Sequence, residues 1–307
     1  MTPATFPAFS TTVDSAFRLR SILVPTDFSD ASDRAACLAR GLARHFHAKL
    51  FLVHAVLQKD YAWDKVLFHL APGEELGRRM TEEFVANHEL DALPHKVIVS
   101  SGLPEEVVRS VAAENEIDLI VLGTNGLRGT SKLVFGPYSE WIFRNTATPV
   151  LTAGPHVRPS RCNGSFRSIV CAVDPEQGGA AAEPLGYAMA LARACQAYLT
   201  VVHIVAEPNG ARGDALYRLE EEKHAQISRM LSEHLPALPH EAEIIVRTGK
   251  IDDEIIKIAV GCGADLIVKG MRPPDSALAK GDSYPISVNA HCPVLSVVGN
   301  SRARDRA

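Results

Sequence analysis

Short apolar runs alternate with longer amphipathic stretches along this chain. Ile22-Leu23-Val24 leads into Pro25-Thr26-Asp27, and beyond it Ala35, Leu38, Leu42 and Phe46 recur at the 3.6-residue period of a helix, with Ser29 or Asp30 in the capping position. A second apolar run, Leu50 to Val56, precedes a helix around Glu75 to His88 and a strand from Val97 to Ser100. Pro104-Glu105-Glu106 then opens a helix carrying Val107, Val108, Val111 and Ala112, since proline suits the first helical position and acids the first turn. Asp118 to Leu122 reads as a fourth strand, followed by a glycine-bearing loop, a helix and a last strand, Pro149 to Ala153. Strands this apolar, separated by helices, predict a parallel sheet covered on both faces, an α/β fold.

The same pattern occurs twice. Ser21 to Asp27 aligns with Ser168 to Asp174, Leu50 to Val56 with Leu199 to Val205, Gly102 with Gly249, Asp118 to Gly123 with Asp265 to Gly270, and Pro149-Val150-Leu151 with Pro293-Val294-Leu295. The helical stripe recurs as Leu185, Ala188, Ala192 and Cys195. Five ordered matches mean duplication of one unit. The expected domains are 18–154 and 168–299, joined by a linker over 155–167 whose prolines, Asn163-Gly164 and arginines suit the surface. The segment 1–17, rich in Thr, Ser, Pro and Phe, lies outside both.

Composition narrows the function classes. The 307 residues are 46% hydrophobic and 22% charged, a globular balance that argues against disorder. No uninterrupted apolar run reaches membrane-spanning length, and the first residues lack the basic-then-apolar order of a secretory signal, so a cytoplasmic location and no membrane partner are expected. Six scattered cysteines without a C-x-x-C pair suit reduced thiols. Basic and acidic residues number 15 and 17 over 18–154 and 11 and 17 over 168–299, an acidic balance that disfavours a nucleic-acid partner.

Candidate chemistry concentrates in Gly123-Thr124-Asn125-Gly126 and the residues up to Gly136-Pro137-Tyr138-Ser139. This loop leaves a strand at the carboxyl edge of a parallel sheet, where open α/β folds form their ligand crevice. Glycines there let main-chain N–H groups approach phosphate oxygens, and the next helix would direct its positive end at the same place. Taken alone, three glycines also serve as turn and cap residues. Asp27 and Asp174 end equivalent strands, either as caps or as ligand groups. His54 and His203 recur at matching strand ends, where a histidine satisfied by backbone is the plainer reading than a general base. No metal site is expected.

The spacing Gly123-x2-Gly126-x9-Gly136, the opening Ile22 to Ser29 and His54 together resemble the signature of the universal stress protein family, in its ATP-binding branch, over both repeats. The resemblance implies two doubly wound five-stranded parallel sheets of the Rossmann-like, adenine nucleotide alpha hydrolase type. It implies ATP, or ADP or AMP, bound in the first repeat, with Mg²⁺ accompanying a triphosphate. Pro25, Thr26, Asp27 and Ala55 would receive adenine and ribose, and Gly123, Gly126, Gly136 and Ser139 ribose and phosphates. It also implies that the last strands of the two repeats pair intramolecularly about a pseudo-twofold, leaving a further homodimer open. Pro137 departs from the family's Ser or Thr after the third glycine and supplies neither hydroxyl nor N–H.

The second repeat departs further. Met271-Arg272-Pro273-Pro274 follows Gly270, Asp282 places an acid where an anion should sit, and Val173 replaces the threonine before the strand-end aspartate. A degenerate site is expected there. The chain contains no G-x4-G-K-[ST], H-E-x-x-H or G-x-S-x-G, so no catalytic residue is assigned. The favoured reading is a nucleotide-binding stress sensor or regulator; a slow ATPase or phosphotransfer enzyme, and a nucleotide-free interaction module, are the alternatives.

Overall fold

The computed structural model describes residues 17–56, 73–124, 142, 146–158, 164–177, 179–206, 214–232, 240, 242–271 and 284–298. These divide into two compact units: Leu19–Ser165 with Ser287–His291, and residues 17–18, Phe166–Ile286 and 292–298. The first repeat runs β1 (Ser21–Pro25), α1 (Asp30–Phe46), β2 (Lys49–Val56), α2 (Gly73–Asn87), β3 (His95–Ser101), α3 (Pro104–Glu114), β4 (Leu119–Gly123) and β5 (Val150–Ala153). Its strands lie in the order β3-β2-β1-β4-β5, all parallel.

The second repeat runs β6 (Ser168–Ala172), a 3-10 turn (Pro175–Gln177), α4 (Gly179–Cys195), β7 (Tyr198–Val205), α5 (Asp214–Ser232), β8 (Glu243–Thr248), α6 (Ile251–Gly261), β9 (Leu266–Met271), α7 (Tyr284–Asn289) and β10 (Val294–Val298). Its strand order is β8-β7-β6-β9-β10, again parallel. Both repeats are doubly wound, and the winding reverses between β1 and β4 and between β6 and β9.

The middle strands are buried on both faces, as their unbroken apolar runs require. Ile22, Leu23 and Val24 of β1, Val121 of β4, and Ile267 and Val268 of β9 are fully covered. Ala35, Leu38 and Leu42 carry the apolar stripe of α1, and Ser29 caps it by accepting from the Ser32 N–H. Asp30 is the first helical residue.

Duplication extends to local geometry. Asp118 stands just before β4 rather than in it, and its Oδ2 accepts from the N–H of Arg20 (2.7 Å) and Ser21 (3.0 Å). Asp265 does the same for Arg167 (2.9 Å) and Ser168 (3.3 Å). These carboxylates clamp the amino ends of neighbouring strands, at the sheet edge opposite the glycine loops. Gly102 and Gly249 share φ values of +145° and +154°, which explains why both positions are glycine.

The connection between the repeats departs from an exposed tether. Val157 and Phe166 are buried, and Gly164 (φ +76°) lies so close to α1 that a Cβ there would meet the Gly41 carbonyl. Average composition over 155–167 hides these apolar anchors.

Candidate functional site

At the carboxyl end of β1 the chain makes a tight, cross-braced turn. The Thr26 N–H donates to the Val53 carbonyl of β2 (2.9 Å), and the Phe28 N–H donates to Thr26 Oγ1 (3.1 Å). Asp27 Oδ1 accepts from the Ser29 N–H (3.1 Å), the Ser29 hydroxyl (2.6 Å) and the Ser32 hydroxyl (2.7 Å). Burial of the Asp27 carboxyl pushes its pKa up, but the hydrogen bonds from Ser29 and Ser32 outweigh this and hold it below the ordinary aspartate value. Asp27 is therefore both helix-start brace and ionised group at the crevice.

Phe28 closes the turn at φ +62°, a left-handed conformation that is costly for a bulky residue. Its ring packs on His54 (centroids 4.6 Å apart) and on Phe84 of α2 (5.9 Å). Buried His54 turns Nδ1 to the Thr26 carbonyl at 2.9 Å. A carbonyl only accepts, so Nδ1 carries the proton and His54 props the turn. His203 does the same for the Val173 carbonyl at 2.9 Å, which makes the backbone-bound reading the observed one for both histidines.

The other wall of the crevice is the end of β4. Gly123 packs directly on α1: a Cβ there would stand 1.7 Å from the Ala31 carbonyl oxygen. Thr124, wholly buried, donates its N–H to the Ala153 carbonyl (2.9 Å), and its own carbonyl accepts from Arg34 Nη2 (2.7 Å). The first two turns of α1 thus hold both walls, Asp27 through Ser32 and the head of the glycine loop through Ala31 and Arg34.

Of the residues singled out from sequence, Pro25, Thr26, Asp27 and Gly123 gather at this edge, between β1 and β4, where the winding reverses. Ala55 is half-buried in β2, opposite Ser100 of β3 in register and two residues beyond the Val53 carbonyl that holds Thr26. Gly126, Gly136, Pro137 and Ser139 lie outside the described residues. Sequence reasoning missed Phe28, Ser32 and Arg34. For Arg34 a signal existed, because a cation stands beside Ala31, Ala35 and Leu38 on the apolar side of α1.

The corresponding edge of the second repeat is built differently. Pro175 occupies the position of Phe28, and a proline ring fixes φ near −65°, so the chain turns as a 3-10 segment instead. Glu176 projects there and is met by the nearly buried Lys223 of α5 at 2.6 Å. Pro184 of α4 lies against Gly270.

Asp27 carries a testable pH dependence. Its folded pKa is below its unfolded value, so its stabilising contribution is present above the ordinary aspartate range and disappears as pH falls through the lowered folded value. Urea unfolding should show the unaltered chain losing more stability on acidification below about pH 4 than Asp27→Asn. Equal acid slopes would contradict this account.

The Universal stress protein family model matches residues 18–153 and again 165–297. A universal stress protein of Methanocaldococcus jannaschii, MJ0531, is 28% identical over 143 residues, 43% of this chain and 80% of that protein. Another, encoded in the QAH/OAS sulfhydrylase 3' region of Thermus aquaticus, is 30% identical over 135 residues, 43% of this chain and 96% of that protein. The crystal structure of a universal stress protein from Archaeoglobus fulgidus matches the fold with a TM-score of 0.66 at 17% identity, over 92% of this chain and all of that one. Two family matches that together span most of the sequence, on two sets of five parallel strands wound alike, make this chain a member of the universal stress protein family with two such repeats in tandem.

Proposed function

We propose that the first repeat binds an adenine nucleotide and that the chain acts in the cytoplasm as a nucleotide-responsive stress regulator, its second repeat keeping the fold with a degenerate site. One observation carries this reading: α1 braces the Thr26-Asp27 turn and the Gly123-Thr124 loop head together at the β1/β4 reversal, the place where open α/β sheets receive ligands. Adenine and ribose would meet Pro25, Thr26, Asp27 and Ala55; ribose and phosphates would meet Gly123, Gly126, Gly136 and Ser139. Pro137 removes a hydroxyl and an N–H from the phosphate end. That weakens affinity by about one to two decades if a charge-assisted bond is lost.

In the second repeat the equivalent edge is a Pro175 turn with Glu176 already paired to Lys223, in place of the Thr26-Asp27 turn. Mg²⁺ would accompany a bound triphosphate, as the family resemblance implies; among the described residues no group of three His, Cys, Asp or Glu side chains is placed to hold a metal. No helix among those residues is long and apolar enough to cross a membrane. The same reading has the repeats pair through their last strands, as the family resemblance implies; crosslinking between cysteines introduced into those two strands checks it.

Calorimetric titration of nucleotide-stripped protein with ATP, ADP and AMP tests the assignment. One site is expected, abolished by Gly126→Val and kept by Gly270→Val. Two equal sites, or binding that survives Gly126→Val, would overturn it. Steady phosphate release lost in Asp27→Ala would favour an ATP-hydrolysing enzyme instead.

A further inference from the structure

Arg34 lies in the second turn of α1, against the carboxyl end of β4. Its Nη2 donates to the Thr124 carbonyl at 2.7 Å, while its Nε is buried and, among the described residues, meets no hydrogen-bond acceptor. A guanidinium presents Nε–H and one Nη2–H side by side along one edge, the arrangement that recognises an oxyanion. Asp30 and Asp33 attract the guanidinium through space, but among the described residues neither hydrogen-bonds Nε. Asp30 is exposed, and Asp33 faces His88 at 3.2 Å. Arg34 is half-buried as a whole, but its Nε–H is cut off from water, and a cationic donor so placed is unfavourable unless something else supplies the oxygen.

The second repeat provides a control. Aligning α1 with α4, two helices of equal length, places Glu183 where the first repeat has Arg34. The structure sets this register, since His47 and Gln196 are matching left-handed residues after the two helices, and the Ala48 and Ala197 N–H groups donate alike to the Ala43 and Ala192 carbonyls. A glutamate there donates no hydrogen bond when ionised and repels an anion. The arginine therefore accompanies the repeat whose first two loop glycines are intact.

We propose that Arg34 is a phosphate-recognising and loop-positioning residue of the first repeat: Nη2 fixes the head of the glycine loop through the Thr124 carbonyl, and Nε–H donates to a phosphate oxygen of the bound nucleotide. This rests on the adenine-nucleotide reading above. It adds that the site distinguishes phosphorylated adenosines from adenosine through α1 as well as through the loop.

The test is calorimetric titration of the full chain and of Arg34→Gln and Arg34→Lys with ATP, ADP, AMP and adenosine. Arg34→Gln should lose about 10- to 100-fold affinity for the phosphorylated ligands, with adenosine changed by no more than about 2-fold. Arg34→Lys should recover part of the loss, because it restores charge without the paired edge. An equal loss for adenosine would reduce Arg34 to a structural brace and overturn the phosphate role, as would unchanged affinities. If the unaltered chain bound none of the four ligands, the nucleotide reading itself would fall and this inference with it; normal binding by the unaltered chain and by Arg34→Gln alike would overturn this inference alone.

Discussion

Lys269→Met is expected to stabilise the chain by on the order of 3 kcal/mol at pH 7 and to flatten its stability above neutrality. Lys269 sits in β9 between Ala172 of β6 and Ser296 of β10, and it is buried with the sheet core. Burial pushes its pKa down to about 7, and the Asp252 carboxylate at the start of α6 only partly opposes this. The first repeat has Leu122 at the matching position, so the apolar alternative is already known to suit the fold.

The sign follows from proton uptake. A lysine in the unfolded chain titrates near 10.4, so between about pH 7 and pH 10 the unfolded state binds more protons and stability rises with pH. Below about pH 7 both states are protonated and the penalty is constant. Urea unfolding of both proteins at pH 7 and near pH 9.5 isolates the residue, since other groups contribute equally to each. Superimposable pH profiles would show that Lys269 does not titrate in this window.

Gly123→Ala is expected to destabilise the first repeat by about 3 kcal/mol or more and to weaken any ligand held at the β1/β4 edge. A Cβ at this position would stand 1.7 Å from the Ala31 oxygen, 2.2 Å from its carbonyl carbon and 2.8 Å from its Cα, all of them backbone. Backbone cannot rotate away, so α1 itself must shift, taking Ser32 and Arg34 with it. Gly270→Ala is the matched control. Its nearest neighbour would be a ring carbon of Pro184 at 3.4 Å, and a change within about 0.5 kcal/mol is expected. Thermal unfolding of the two variants decides the matter; equal effects would mean that α1 and α4 approach their sheets alike.

That contrast bears on what the glycine motif signified. From sequence, Gly123 looked like a residue that lets phosphate approach the backbone. In the structure, helix-on-strand packing already demands glycine, so ligand binding is not needed to explain it. His54 and His203 were legible because a repeated histidine at a strand end, without a nearby acid or nucleophile in the pattern, suits a backbone prop. Arg34 stood out only as a cation beside the apolar stripe of α1; its role was not legible, because it depends on β4, ninety residues away, ending beside the second turn of α1.

Hydrophobic periodicity and internal repetition were enough to determine two parallel α/β units, their element order and the strand-end positions where a site would form, because burial on both faces leaves a distinctive apolar run. They also showed that the second loop had diverged. Only the tertiary structure decided the shape of each crevice. Phe28 in a left-handed turn against His54 and Phe84, Pro175 forcing a 3-10 turn with Glu176 and Lys223, Arg34 at the Thr124 carbonyl and Pro184 against Gly270 are all contacts between segments far apart in sequence. Such contacts depend on how closely helices approach the sheet, and a one-dimensional pattern does not carry that distance.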